Sequence, residues 1–184
     1  MKKSISLRKQ ILCAIFAAFI AIFAQITIPL PFTAVPITMQ VFAIILTGII
    51  LGPRLGSFTV LIYILLGAIG APVFVQFKGG FQVLMGPTGG YLIAYPLTVA
   101  IIGYFSYRYK KNYLMIFLGG ILGLALCYLI GTTQLMFVAN LTPRAAIMAG
   151  VIPFVPLDIF KLILAIIVGT RLQSKLIKMN ILRD

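Results

Sequence analysis

The chain is a succession of apolar runs, each too long for a β-strand and too greasy for the outside of a soluble domain. The first, Ile11 to Ile28, has 18 residues without a charge. A membrane span needs about 20 predominantly apolar residues, and in lipid the backbone must satisfy its own hydrogen bonds, which leaves helices as the form such runs can take. Only 9% of residues are charged, against about 25% in soluble domains. The reading is an all-α integral membrane protein, a single domain over 1–184 built as a six-transmembrane-helix bundle.

Punctuation sets the spans. Helices are expected over about 7–28, 38–51, 57–70, 91–107, 113–138 and 156–177. Pro29 and Pro31 stop the first, Gly52-Pro53-Arg54-Leu55-Gly56 turns the second into the third, and the Gly- and Pro-rich stretch 71–90 is too irregular to span. Thr142-Pro143 has the form of an N-cap followed by proline at N1, opening a short helix over 144–150 that Pro153 and Pro156 interrupt. The basic N-terminus imitates a signal peptide, but the apolar run exceeds the 7–15 residues of such a core and prolines follow it, so it is expected to stay as the first span.

Net charge +13 suggests nucleic acid at first sight. The cations, however, gather at the ends of apolar runs: Lys2, Lys3, Arg8 and Lys9; Arg54; Arg108, Lys110 and Lys111; Arg171, Lys175, Lys178 and Arg183. These twelve fall on one side of the six spans, with Lys78 and Arg144 opposite. The positive-inside rule then puts both termini in the cytoplasm of a bacterial cell, with no nucleic-acid partner. Long outer connections hold eight of the ten prolines, the pattern of a built binding mouth.

Against this background PFVPLDIFK, Pro153 to Lys161, stands out. Asp158 is the only acidic residue besides Asp184, and Lys161 follows at i+3, on the same helix face. Ionisable residues within a membrane span usually serve a site, though such a pair can also staple helices. Asp158 falls in the first turn of its helix, where the dipole favours an anion.

Other candidates cluster towards the same face. Gly86, Gly89 and Gly90 in VLMGPTGGYL allow close backbone approach to a ligand or tight helix packing, without the lysine of a nucleotide-binding loop. Thr38 and Gln40 close the proline-rich stretch 28–40, and Gln134 lies near the outer end of helix 5, as ligand contacts or interhelical glue. Phe32, Phe74, Phe77, Phe81, Tyr91 and Phe154 offer either interfacial anchors or an aromatic pocket wall. On helix 1, Ala14 with Ala18 and Ala17 with Ala21 make small-residue pairs four apart, suited to packing in the bundle or to docking a partner.

With no His, and with Cys13 and Cys127 separately embedded in apolar runs, neither a metal cluster nor a disulfide is expected. No nucleophile has a base in sequence reach. The chain is therefore expected not to be an enzyme and to need no cofactor. A stand-alone ion- or proton-coupled carrier using Asp158, and a purely structural subunit, remain competing classes.

Taken in order, PLPFTAVPITMQ, LGPRLG, GAPVF, GPTGGY and PF-x-P-x-D-x-x-K resemble the BioY family, the biotin-specific substrate-capture (S) components of energy-coupling factor (ECF) transporters. The resemblance spans almost the whole chain. It implies an S-component fold, biotin as the transported ligand, and partnership with a transmembrane coupling (T) subunit and two cytoplasmic ATPases. It also implies Asp158 and Lys161 as the polar core of the biotin site, closed by the GPTGGY and proline-rich loops, with Thr38, Gln40, Phe74, Tyr91 and Gln134 around it. The alanine pairs would dock the T subunit. The family block usually carries glycine before the aspartate, where this chain has Leu157. An S component for another vitamin, such as thiamin, is the alternative of the same class.

Overall fold

The computed structural model describes residues 7–110, 112–179 and 181–182. Lys2, Lys3, Lys111, Arg183 and Asp184, which entered the charge reading, lie outside the described residues. The chain is mainly helical: α1 Leu7–Gln25, α2 Gln40–Ala68, α3 Phe81–Met85, α4 Gly89–Arg108, α5 Tyr113–Val138, α6 Pro143–Gly150 and α7 Val155–Lys178. Two short strands, β1 Thr27–Ile28 and β2 Ile37–Thr38, pair antiparallel with Thr27 opposite Thr38. Seven α-helices thus occur among the described residues rather than six. Four are long and apolar enough to cross a membrane, and α6 with α7, bent by 43°, makes a fifth candidate.

The expected turn at 52–56 is real, although helical hydrogen bonding runs up to it on both sides. Gly52 has φ 77° and ψ −176°, a conformation that side chains resist and glycine accepts. The chain reverses there. A methyl on Gly56 would come within 3.3 Å of the Thr47 carbonyl oxygen and 3.6 Å of the Gly48 Cα, while a straight helix would hold residues eight apart at about 12 Å. Gln40 and Tyr63, from opposite ends of α2, are hydrogen-bonded for the same reason. Arms 40–51 and 53–68 therefore form an antiparallel hairpin.

The break leaves carbonyls without helical partners, since Pro53 lacks the N–H that would bond Ile49. Side chains from two other helices supply the donors. Gln173 Nε2 on α7 donates to Ile49 O at 2.6 Å, Ser106 Oγ on α4 donates to the same oxygen at 3.2 Å, and Tyr107 Oη donates to Ile50 O at 2.8 Å. The turn is thereby clamped by α4 and α7. Helix α4 is central, packing on α2 and α5, with α1 and α7 against α2. Gly103 lets it close in: a Cβ there would stand 2.5 Å from the Gly52 carbonyl carbon.

The core has two parts. Around the loop end it mixes aromatic and aliphatic groups, including Tyr63, Phe74, Tyr91, Tyr95 and Phe154. Towards the end carrying the termini it is mainly aliphatic, with Ile45, Ile49, Ile50, Leu124, Leu162 and Ile166. Outside, Ile15, Ile22, Leu65, Leu97, Leu118, Leu129, Ile163 and Ile167 are exposed, an apolar girdle for lipid.

Helix 1 is shorter than expected. It ends at Gln25, because residues 27–28 and 37–38 satisfy their backbone groups as a β-ribbon, while the prolines between them keep the loop out of a helix. The long stretch 71–90 is likewise built: a 3-10 turn Val75–Phe77 and helix α3 fold over the hairpin. The expected Thr142 cap is present, accepting from Ala145 N. Cys13 and Cys127 are free and buried.

Candidate functional site

The site is assembled from the ends of elements. Pro156 and the preceding turn start α7, placing Asp158 in its first turn and Lys161 one turn on. Both are buried, 3% and 5% exposed, and their side chains meet at 2.8 Å, Lys161 Nζ to Asp158 Oδ1. Two further bonds hold the pair: Tyr128 Oη on α5 donates to Asp158 Oδ2 at 2.7 Å, and Lys161 Nζ donates to the Thr38 carbonyl at 2.7 Å. The second bond ties the ion pair to the end of β2.

Capacity is left over. A carboxylate can accept about four hydrogen bonds and an ammonium donates three; the described partners use two of each. Both residues line a cavity of about 400 Å³, where a ligand could use that capacity. Its other walls come from the β1–β2 loop (Pro29, Leu30, Thr33 to Pro36), from Phe74 to Gln76 and Lys78, from Pro87 and Thr88, and from Tyr91, Tyr95, Cys127, Tyr128 and Phe154. The lining is largely apolar, with a few convergent polar groups, which is the form of a small-molecule site.

Of the residues singled out by sequence, Asp158, Lys161, Thr38, Gln40, Tyr91 and Phe74 all line this cavity. Gln40 Nε2 donates to Tyr63 Oη at 2.8 Å, and Tyr63 Oη donates onward to Val73 O at 3.1 Å. Tyr91 lies with its hydroxyl turned away, donating to Gly150 O at 2.9 Å and paired with Thr132 Oγ1 at 3.1 Å, so its ring faces the cavity and its polar tip secures α6.

Gly86, Gly89, Gly90 and Gln134 do not line it. They shape its wall from behind. Gln134 Nε2 donates to Leu84 O at 2.7 Å and Gly86 O at 2.9 Å, holding the end of α3, and a Cβ on Gly89 would collide with the Leu84 carbonyl and lie 2.7 Å from Gln134 Nε2. The backbone closeness expected of these glycines is therefore to protein, and Pro87 and Thr88 between them reach the cavity. Likewise Phe32, Phe77 and Phe81 are exposed and outside the lining, so only Phe74, Tyr91 and Phe154 of the six aromatics build the wall.

Sequence reasoning missed Tyr128, Lys78, Tyr95 and Gln25. Tyr128 sits within an unbroken apolar helix, and only the fold turns its hydroxyl to Asp158. Gln25 Nε2 donates to Phe74 O at 3.1 Å and its Oε1 accepts from Phe77 N at 2.8 Å. It pins the loop that presents Gln76 and Lys78, where Gln76 and Phe77 both hold positive φ. A glutamine closing an apolar helix was the available signal.

The BioY family model matches residues 1–178. A biotin transporter BioY from Thermotoga maritima is 41% identical over 168 residues, covering 91% of this chain and 97% of the relative. The chain belongs to the BioY family. A probable biotin transporter BioY from Pyrococcus horikoshii is 43% identical over 163 residues, covering 89% of this chain and 94% of the relative. The fold also matches the crystal structure of the S-component for biotin from an ECF-type ABC transporter, with TM-score 0.86, 30% identity and 95% coverage of both chains. These BioY relatives are transporters, not enzymes, by name.

Leu157, where the resemblance led to an expectation of glycine, causes no break: α7 is helical through it, Asp158 N donates to Phe154 O at 2.8 Å, and the leucine side chain is 40% exposed. On α1, Ala14 and Ala18 face outward, whereas Ala17 is buried in the bundle and Ala21 is half-buried. The inner pair packs α1 against its neighbours; the outer pair is the accessible one.

Proposed function

We propose that this protein captures biotin from the outer side of the bacterial cell membrane as the S component of an ATP-driven ECF transporter. The observation that carries the reading is the buried Asp158–Lys161 pair, with unused acceptor and donor capacity, at the wall of a 400 Å³ cavity in a BioY chain.

The chemistry of the ligand fits that capacity. A ureido ring presents two N–H donors and one carbonyl. Asp158 accepts one N–H, Gln40 Oε1 the other, and the third N–H of Lys161 goes to the ureido carbonyl, all charge-assisted or within reach of charge. The thioether ring and alkyl chain lie against Phe74, Tyr91, Tyr95 and Phe154. Lys78, on the pinned loop in the lining, meets the carboxylate nearer the mouth. The ligand needs no cofactor and undergoes no reaction.

The two arms of α2 count separately, so α1, the arms, α4, α5 and α7 make six crossings, with both termini cytoplasmic and the loop end outside. Ala14 and Ala18 lie on the face that meets the T subunit, which with two ATPases supplies the energy. Isothermal titration of the purified chain tests the reading: saturable biotin binding with no response to thiamin is expected. Absence of biotin binding, or unaltered binding by Asp158→Asn, overturns it. Gradient-dependent biotin uptake in liposomes without ATPases would favour a stand-alone carrier instead.

A further inference from the structure

At the other end of the molecule, the end of α4, the start of α5 and the last turns of α7 enclose a second cleft of about 440 Å³. Arg171, Lys175 and Lys178 stand at i, i+4 and i+7 on α7 and so share one face. Lys110 approaches from the α4–α5 turn. All four are exposed and line the cleft. Its floor is polar and rigid, formed by Ser106 and the buried Gln173, which are bonded to each other and to Ile49 O.

Among the described residues, the charged groups lining this cleft are all cations. Asp158 is the only carboxylate among the described residues, and it lies at the opposite end, in the outer cavity. A helix C-terminus attracts cations, which accounts for Lys175 and Lys178 in the last turn of α7. The end of α4 likewise favours Lys110, which also lies over the Tyr107 ring, and the positive-inside bias favours cations at this end in general; neither requires Arg171, Lys175, Lys178 and Lys110 to line one concave surface. Like charges four apart on a helix repel, and converging four of them on a concave surface adds to that cost. An anion placed among them removes it.

We infer that this cleft binds a phosphate group, with Arg171, Lys175, Lys178 and Lys110 as its ligands. Arg171 supplies the planar fork that matches phosphate oxygens and the lysines supply point charge. Basic pockets between spanning helices are where anionic lipid headgroups bind, and a free phosphate ion presents the same chemistry. The inference does not use the outer cavity, so biotin binding serves as a check that variants are folded.

The test is native mass spectrometry of the detergent-solubilised full chain, titrated separately with dioleoyl-phosphatidylglycerol, with dioleoyl-phosphatidylcholine and with inorganic phosphate. The expected result is saturable one-to-one binding of phosphatidylglycerol or of phosphate, with phosphatidylcholine clearly weaker. Arg171→Gln/Lys175→Gln should weaken it about thirtyfold, from about fivefold per cation near a membrane surface. Arg54→Gln/Arg108→Gln, which removes two cations outside the cleft lining, should leave it within about twofold of wild type. Binding of phosphatidylglycerol alone assigns a lipid headgroup; equal competition by phosphate assigns the free ion; either supports the site. Equal weakening by both double variants means general surface attraction, and no saturable binding means no site; either overturns it. Should Arg171→Gln/Lys175→Gln lose biotin binding, Lys110→Gln on the exposed turn carries the same test at about fivefold, and an unchanged affinity there overturns the inference.

Discussion

The two ends of the molecule handle charge in opposite ways. At the loop end one anion and one cation are buried and bonded to Tyr128 and Thr38 within the wall of a largely apolar cavity. At the terminal end, exposed cations face a cleft with a polar floor and no described carboxylate. The difference teaches what burial does to a charge. A buried pair must be placed to within a hydrogen bond, because each ion has lost its water and depends on its partner; exposed cations keep their water, and singly they are worth little. The first arrangement suits recognition of one small molecule, and the second suits attraction of a negatively charged group.

The comparison is tested most severely by unpairing the buried ions. Asp158→Ala should cost about 3–5 kcal/mol in stability and abolish biotin binding, since Lys161 is left buried without its counterion. The double variant Asp158→Leu/Lys161→Met should recover most of the thermal stability but none of the biotin affinity, measured by differential scanning fluorimetry and isothermal titration. Recovered binding in that double variant would reduce the pair to a helix staple.

Next in size is Tyr128→Phe, which removes one hydrogen bond to a carboxylate. About 1.5–3 kcal/mol of biotin affinity should be lost with little change in fold. Gly89→Ala should follow closely. Its methyl runs into the Leu84 carbonyl and Gln134, and overpacking of this kind costs about 1–3 kcal/mol, read as a lower melting temperature and a faster biotin off-rate. Lys78→Gln should cost about 1 kcal/mol for biotin and nothing for biotin methyl ester, so that discrimination between the two collapses. Smallest of all, Arg54→Gln at the terminal end should stay within about 0.5 kcal/mol in stability and leave biotin affinity alone. A large loss there would erase the contrast between the two ends.

Much of the frame was legible in the residues because spans in lipid have narrow requirements. The helices over 113–138 and 156–177, the turn at Gly52-Pro53 and the Thr142 cap follow from apolar run length and from what proline, glycine and threonine do to a backbone. Where a short Thr/Ile stretch can bond in either of two ways, the sequence does not choose: apolar run length carries helix 1 through residues 27–28, whereas their pairing with residues 37–38 makes a β-ribbon. The short helix α3 was hidden in a run rich in glycine for a similar reason.

By itself, the sequence determined that the chain belongs in a bilayer, which residues carry charge inside it, and that Asp158 and Lys161 share a helix face. Each is a local property, set by composition and by the period of the helix. Only the tertiary structure decided that Tyr128 caps Asp158, that Thr38 offers its carbonyl and not its hydroxyl to Lys161, and that Gln134 and the glycines brace the cavity from behind instead of lining it. Those relations join residues 30 to 123 positions apart, and no periodicity reports which way a side chain points once helices from distant parts of the chain have packed.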